Sequence, residues 1–158
     1  MISREAYEQV GGMEESYFLY YEELDYCETI RRAGFEIMVE PNAMVYHKES
    51  YSTSKISNLK LYYLTRNRLL WVRRNRSFLP RLSFGLLFYT FTLPIHTLRY
   101  LVKREFSNIG ASWRAAWWHI LDLLGYDNDH LDPVPRPDTD QNKVSEHYGS
   151  LGNPVPVH

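Results

Sequence analysis

The chain has 158 residues, 44% apolar and 15% aromatic, enough for one cored domain but too short for two comfortable ones. Its formal charge of −1 hides an uneven distribution: eleven acids against four bases in residues 1–50, one against twelve in 51–118, and seven against two in 119–158. The single cysteine, Cys27, excludes an internal disulfide and a cysteine-built zinc site, and Met1-Ile2-Ser3-Arg4-Glu5 does not read as a secretory signal.

Ser3 to Val10 reads as a short helix, with Ser3 as N-cap and Glu5 in its first turn. Gly11-Gly12 ends it in a turn that calls for positive φ. An aromatic run, Tyr17-Phe18-Leu19-Tyr20-Tyr21, then leads into Glu22, Glu23 and Asp25. Three carboxylates this close repel one another unless the charge is offset, and the free N–H groups at a helix start offset it. Leu24, Cys27 and Ile30 fall three apart, Arg31 and Arg32 occupy the last turn, and Gly34 is a natural stop. The cluster is therefore expected at a helix N-terminus, either beside aromatic walls as a site or as a well-capped surface helix.

After Gly34 the apolar period changes to two. Phe35, Ile37 and Val39 alternate with Glu36, Met38 and Glu40, which predicts a half-buried strand. Pro41-Asn42 turns the chain, and a second strand is expected over Ala43 to His47, followed by a polar loop from Lys48 to Ser57.

Helical periodicity returns over Asn58 to Arg76, with Leu59, Tyr62, Tyr63 and Leu70 in one stripe and Arg66 and Asn67 inside it. A buried arginine needs a partner, so Arg66-Asn67 reads as a structural clasp or as part of a site. Leu82 to Leu98 contains no Asp, Glu, Lys or Arg. Arg73, Arg74, Arg76 and Arg81 precede it, and Arg99, Lys103 and Arg104 follow. At 17 residues it sits at the lower edge of a bilayer span and carries Pro94 and His96, so it reads as helices lying in a membrane interface, or else as a buried helical hairpin. Ser112 to Leu124 predicts another helix with Trp113, Trp117, Ile120, Leu121 and Leu124 on its apolar face. Residues 127–158, rich in Asp, Pro and Asn, are expected to be disordered.

Taken in order, these elements carry Val10-Gly11-Gly12, then Tyr17 to Cys27, Arg31-Arg32-Ala33-Gly34-Phe35, Glu40 to His47, and Tyr62-Tyr63-Leu64-Thr65-Arg66-Asn67. The ordered set resembles the C-terminal half of family 2 glycosyltransferases, in particular bacterial rhamnosyltransferase-like members. Those carry a GG turn, an aromatic run into E-D-x-D, R-R-A-G, a P-x-A-x-V-x-H strand and a Y-x-x-R-N helix. The resemblance spans roughly residues 1–76; residues 77–125 share only the character of the family's membrane-associated tail.

The resemblance implies an α/β fold, a partial GT-A domain of helix, strand and strand over residues 1–57. A helical, membrane-associated region over 58–125 and the acidic tail over 126–158 would follow. It implies inverting transfer of a sugar from a nucleotide-sugar donor to a glycan or lipid-linked acceptor at the cytoplasmic face of the cell membrane, peripherally or integrally held. By position in the motif Glu23 is the catalytic base, with Glu in place of the usual Asp, and Glu22 is the reserve. Tyr20, Tyr21 and Asp25 lie on the acceptor side, with Asp25 expected to bond backbone or Arg. A divalent metal, Mg²⁺ or Mn²⁺, is implied, with His47 as the matching ligand and the set incomplete in this chain. Glu23 and His47 are expected to converge on one pocket.

The family's nucleotide-binding βαβ unit and D-x-D motif are not found here. Asp127-Asn128-Asp129 and Asp138-Thr139-Asp140 match the letters after the wrong elements. The resemblance thus implies a chain that lacks its N-terminal half and is inactive alone. Two other readings remain at this stage: a non-enzymatic basic module for lipid or nucleic-acid phosphate, and a degenerate remnant. Nucleic acid is disfavoured because the densest apolar run lies inside the basic block.

Overall fold

The computed structural model describes residues 1–44, 46 and 58–134. Among the described residues six α-helices carry the fold: α1 (Arg4–Val10), α2 (Glu22–Arg32), α3 (Asn58–Asn75), α4 (Phe78–Leu87), α5 (Leu93–Val102) and α6 (Phe106–Leu123). Short 3₁₀ turns lie at Glu15–Tyr17 and Asp129–Leu131, and a π-helical turn, Phe88–Thr92, joins α4 to α5.

The local signals act where the sequence places them. Ser3 Oγ accepts from the Ala6 N–H at 3.2 Å, and Gly11, at φ 77°, closes α1 with its N–H on the Tyr7 carbonyl. The Tyr26 hydroxyl donates to the Gly11 carbonyl at 2.8 Å and so fixes α1 to α2. At the far end of α2, Gly34 takes φ 94° and Phe35 N–H reaches the Ile30 carbonyl, the bond pattern that ends a helix through a left-handed residue. Within α2 the buried face is Asp25, Tyr26 and Ile30, whereas Leu24, expected inside, is exposed.

The axis of the molecule is α3, packed along α6 and capped at one end by α2. Tyr62 and Tyr63 cluster with Ala111 and Ala115 of α6, and Leu69 clusters with Ala116, Phe88 and Leu93. Arg66 and Asn67 are fully enclosed in this stripe. On α6 the expected face is reversed. Ala111, Ser112, Ala115, Ala116, Trp118 and His119 are buried, whereas Trp113, Trp117 and Leu124 are exposed. Small side chains let the α3 and α6 backbones approach closely, and helix spacing follows the side chains at the contact. Trp113 and Trp117 are left outside, whereas Trp118 is buried with Arg66 stacked on its ring.

The expected α/β, GT-A-type architecture is not what the described residues form: they contain no strand. Residues 35–40 and 43–44 run without a ladder, and Ile37, Met38 and Val39 are exposed. Alternation fits a chain to be half-buried in a sheet, but a strand exists only when a neighbour supplies its backbone partners. None of the described segments forms a ladder with this one. The Pro41-Asn42 turn does form, with Ala43 N–H on the Glu40 carbonyl and Asn42 N–H on the Glu40 side chain. Val45, His47 and the 48–57 loop lie outside the described residues.

The stretch from Phe78 to Val102 is neither a hairpin nor separate short helices but one 25-residue helical run. Pro94 lacks an N–H and its ring crowds the preceding turn. The π turn just before it widens the backbone there, with Leu93 N–H reaching five residues back to the Phe88 carbonyl. Residues 127–134, expected to be disordered, are docked instead. Asp132 accepts from the Tyr62 hydroxyl at 2.9 Å and pairs with Arg66 at 3.6 Å, and Asn128 is buried with its amide on the Trp118 carbonyl. Residues 135–158 lie outside the described residues.

Candidate functional site

The loop that delivers Glu22, Glu23 and Asp25 has an unusual backbone. Phe18, Tyr20 and Tyr21 all take positive φ (59°, 67° and 74°), and none is glycine. Left-handed conformations cost an L-residue roughly 1–2 kcal/mol each, so such a loop persists only where its surroundings hold it.

Asn67 provides most of the hold. Its Nδ2 amide donates to the carbonyls of Tyr17, Leu19 and Tyr20 at 2.8, 2.6 and 3.0 Å. Arg66 Nη1 donates to the Ser16 carbonyl at 2.9 Å and to Asn67 Oδ1 at 2.8 Å, and its guanidinium stacks 4.1 Å from the Trp118 ring. The Arg-Asn pair of α3 is therefore a clasp on the loop that carries the candidate acids. The loop's side chains are pinned as well. Phe18 packs on Tyr63 with ring centres 5.1 Å apart, Lys60 lies over the Tyr20 ring, and Arg68 Nε donates to the Tyr21 hydroxyl at 3.3 Å.

The three acids have different surroundings. Asp25 points inward and is enclosed. Its Oδ1 accepts from the Tyr17 hydroxyl at 2.9 Å and from Asn75 Nδ2 at 2.5 Å, with Arg74 Nε 3.5 Å away. Burial, reinforced by the bond to Asp25, pushes the Tyr17 phenol far above its ordinary range, so it stays a donor. Glu22 is half-buried at the first position of α2, and its Oε2 is enclosed without a hydrogen-bond partner among the described residues. Glu23 is exposed and lines a cleft of about 470 Å³ between the N-terminal residues, α2 and the extended segment after Gly34, with Tyr26, Ile30, Phe35 and Met38 among its walls.

The structure thus gathers Tyr20, Tyr21, Glu22, Glu23 and Asp25 at one helix start, but sends Asp25 into the α2–α3 junction, away from the Glu23 cleft. Sequence reading did not single out Tyr17, Asn75 or Arg68. For Asn75 a signal exists, since it lies eight residues after Asn67 on the same face of α3. Tyr17 and Arg68 are assigned only by three-dimensional proximity.

His47, the expected metal ligand, lies outside the described residues. Among the described residues no three His, Cys, Asp or Glu side chains converge in a metal-holding group, and the Asp25 carboxylate already has three partners. This part of the chain does not fit a divalent cation by itself.

A second buried polar group lies deeper in the α3–α6 seam. His119 Nε2 is 2.7 Å from the Arg66 carbonyl and Nδ1 is 3.0 Å from Arg73 Nη1. A carbonyl only accepts and a guanidinium only donates, so the neutral ring carries its proton on Nε2. Burial, aided by the Arg73 charge, lowers its pKa to about 3.

Comparison with proteins of established activity gives a distant relationship to glycosyltransferases. The chain is 36% identical over 55 residues to the N-acetylglucosaminyl-diphospho-decaprenol L-rhamnosyltransferase of Mycobacterium tuberculosis, covering 35% of this chain and 18% of that protein. It is 34% identical over 71 residues to the low-salt glycan biosynthesis hexosyltransferase of Haloferax volcanii, covering 44% of this chain and 23% of that protein. The matched region thus spans about a fifth of the length of each relative. No family model matches the chain, and no solved structure matches it.

Proposed function

We propose that residues 1–76 supply the acceptor side and the catalytic base of an inverting glycosyltransferase. The enzyme would move a sugar from a nucleotide-sugar donor to a lipid-linked or glycan acceptor. The supporting observation is the acid-bearing loop itself: strained, aromatic, and held at a helix start by the Arg66-Asn67 clasp. A loop held against its own backbone preference fits a part whose side chains need fixed positions.

In this reading Glu23 takes the proton of the acceptor hydroxyl as its oxygen attacks the anomeric carbon. The bond from that carbon to the nucleoside diphosphate breaks, and its electron pair leaves with the phosphate. The exposure of Glu23 beside an apolar-walled cleft supports this role. Tyr20 and Tyr21 offer faces for sugar C–H surfaces, and Asp25 fixes the helix start without touching substrate. Donor binding is assigned to no described residue, and the chain alone is expected not to turn over. A specific observation favours a second assignment of the base: the enclosed, unpartnered Oε2 of Glu22.

The reading is tested in two parts. Calorimetry of the chain with a short-chain polyprenyl diphospho-sugar is expected to show binding that weakens in Tyr20→Ala and Tyr21→Ala; absence of binding overturns the acceptor assignment. In an active assembly that includes a donor-binding portion, Glu23→Gln is expected to lower transfer by about 10²–10⁴-fold. The same loss in Glu22→Gln alone moves the base to Glu22, and full activity in both variants overturns the assignment of a base to this loop.

A further inference from the structure

The helical run from Phe78 to Val102 has two different long faces. Inward, Phe88 and Leu93 are buried against Leu69 of α3 and Ala116 of α6, and the Tyr89 hydroxyl donates to the Ala116 carbonyl at 2.8 Å. Outward, Leu79, Leu82, Leu86, Phe91, Ile95 and Leu98 are all more than half exposed. Successive outward residues are three or four apart except from Leu86 to Phe91, where the step is five. The inward step from Phe88 to Leu93 is also five. Both five-residue steps cross the π turn at Phe88–Thr92. The extra residue of that turn keeps each face in register past Pro94. The outer apolar stripe is therefore continuous from Leu79 to Leu98, roughly 29 Å at 1.5 Å per residue.

The stripe widens onto α6. Trp113 donates its indole N–H to Thr97 Oγ1 at 3.0 Å, and Trp113 and Trp117 are both about half exposed. Arg76 and Arg81 stand before the apolar run, and Arg99, Lys103 and Arg104 after it.

We propose that this face lies flat in the surface of a bilayer containing anionic lipids, with the helix parallel to the membrane plane. Length and apolar composition alone would also allow the run to cross the bilayer. Two observations decide against crossing. First, the inner face is packed on α3 and α6, whose shared seam holds the charged groups Arg66, Arg73 and Asp122. Crossing would strip the helix from that scaffold or drag those charges into hydrocarbon. Second, both ends are basic, so crossing would carry Arg99, Lys103 and Arg104 to the side opposite Arg76 and Arg81, against the retention of cations on one side. A helix lying flat leaves both groups beside anionic headgroups, its aliphatic stripe in the acyl boundary and its indoles at interface depth. The inference does not rest on glycosyl transfer and would survive the failure of that reading.

The test is co-sedimentation of the whole chain with vesicles of phosphatidylcholine, alone or mixed with phosphatidylglycerol. Binding to the mixed vesicles is expected, with loss as salt rises. Leu82→Glu and Ile95→Glu, checked for intact helicity by circular dichroism, are expected to weaken it roughly tenfold or more, since a charge replaces an aliphatic group seated in the acyl boundary. Quenching of tryptophan emission by brominated lipid chains, expected in the whole chain and lost in a Trp113→Phe, Trp117→Phe double variant that keeps Trp71 and Trp118, reads the contact of these two indoles. Orientation is read in a Cys27→Ser background with single reporters, Ser77→Cys and Lys103→Cys, in membranes of producing cells. Both are expected to react with an impermeant thiol reagent from the same side. Reaction from opposite sides, absence of vesicle binding, or equal salt-insensitive binding to neutral vesicles overturns the proposal.

Discussion

Replacing Asn67 with leucine tests the clasp most directly. Leucine has the same branched four-atom skeleton, so the α3 stripe stays filled, but the amide that serves three carbonyls is gone. A buried acceptor left without a partner costs about 1–3 kcal/mol. Water can reach part of the loop, so between one and two of the three carbonyls are expected to carry that cost in full. The positive-φ residues Phe18, Tyr20 and Tyr21 also lose the contact that offsets their backbone strain. The expected loss is about 3–5 kcal/mol, a large share of the roughly 5–15 kcal/mol that holds a domain of this size. Urea denaturation followed by far-UV circular dichroism measures it. Near-UV dichroism in the folded baseline should change as well, because Tyr17, Tyr20 and Tyr21 lose their fixed setting. A loss below about 1 kcal/mol, with an unchanged near-UV spectrum, would refute the claim that Asn67 holds the loop.

Three further predictions rest on separate contacts. His119 is held neutral with its pKa lowered to about 3; the unfolded chain, with an ordinary imidazole, takes up the proton first as pH falls below about 6.5. The stabilisation is therefore complete above that value and erodes toward pH 3, by about 2 kcal/mol at pH 5. His119→Gln should remove this slope from the difference between denaturation curves at pH 7 and pH 5. Asp25→Ala leaves the Tyr17 hydroxyl and the Asn75 amide without their buried acceptor and should cost about 2–4 kcal/mol, with Tyr17→Phe costing less, both read by urea denaturation. Gly34→Ala forces a Cβ into φ 94° and should lower stability by about 1–2 kcal/mol, seen as a lower thermal midpoint, although nothing crowds the site.

Much of the helical layout was legible in the residues. Ser3, Gly11 and Gly34 act through their own backbone and cap chemistry, which needs no distant partner, so α1 and α2 end where these residues stand. The α3 stripe, with Arg66 and Asn67 inside it, followed from period alone because a helix of that length buries one face against whatever packs on it. What the period does not carry is the identity of the neighbour. Phe35 to Val39 alternates as a strand should, yet the described chain offers it no ladder. Trp113 and Trp117 of α6 lost the inner face to alanines and Trp118, because small residues at Ala111, Ala115 and Ala116 let α3 come close. The left-handed backbone at Phe18, Tyr20 and Tyr21 had no mark in residues that ordinarily avoid it; it exists because an amide fifty positions from Tyr17 in sequence reaches three of the loop's carbonyls. Local chemistry determined where α1 starts and stops and where α2 ends, but not the start of α6, which lies at Phe106 rather than Ser112. Long-range packing decided which faces are hidden, which acid is enclosed and which loop is held under strain.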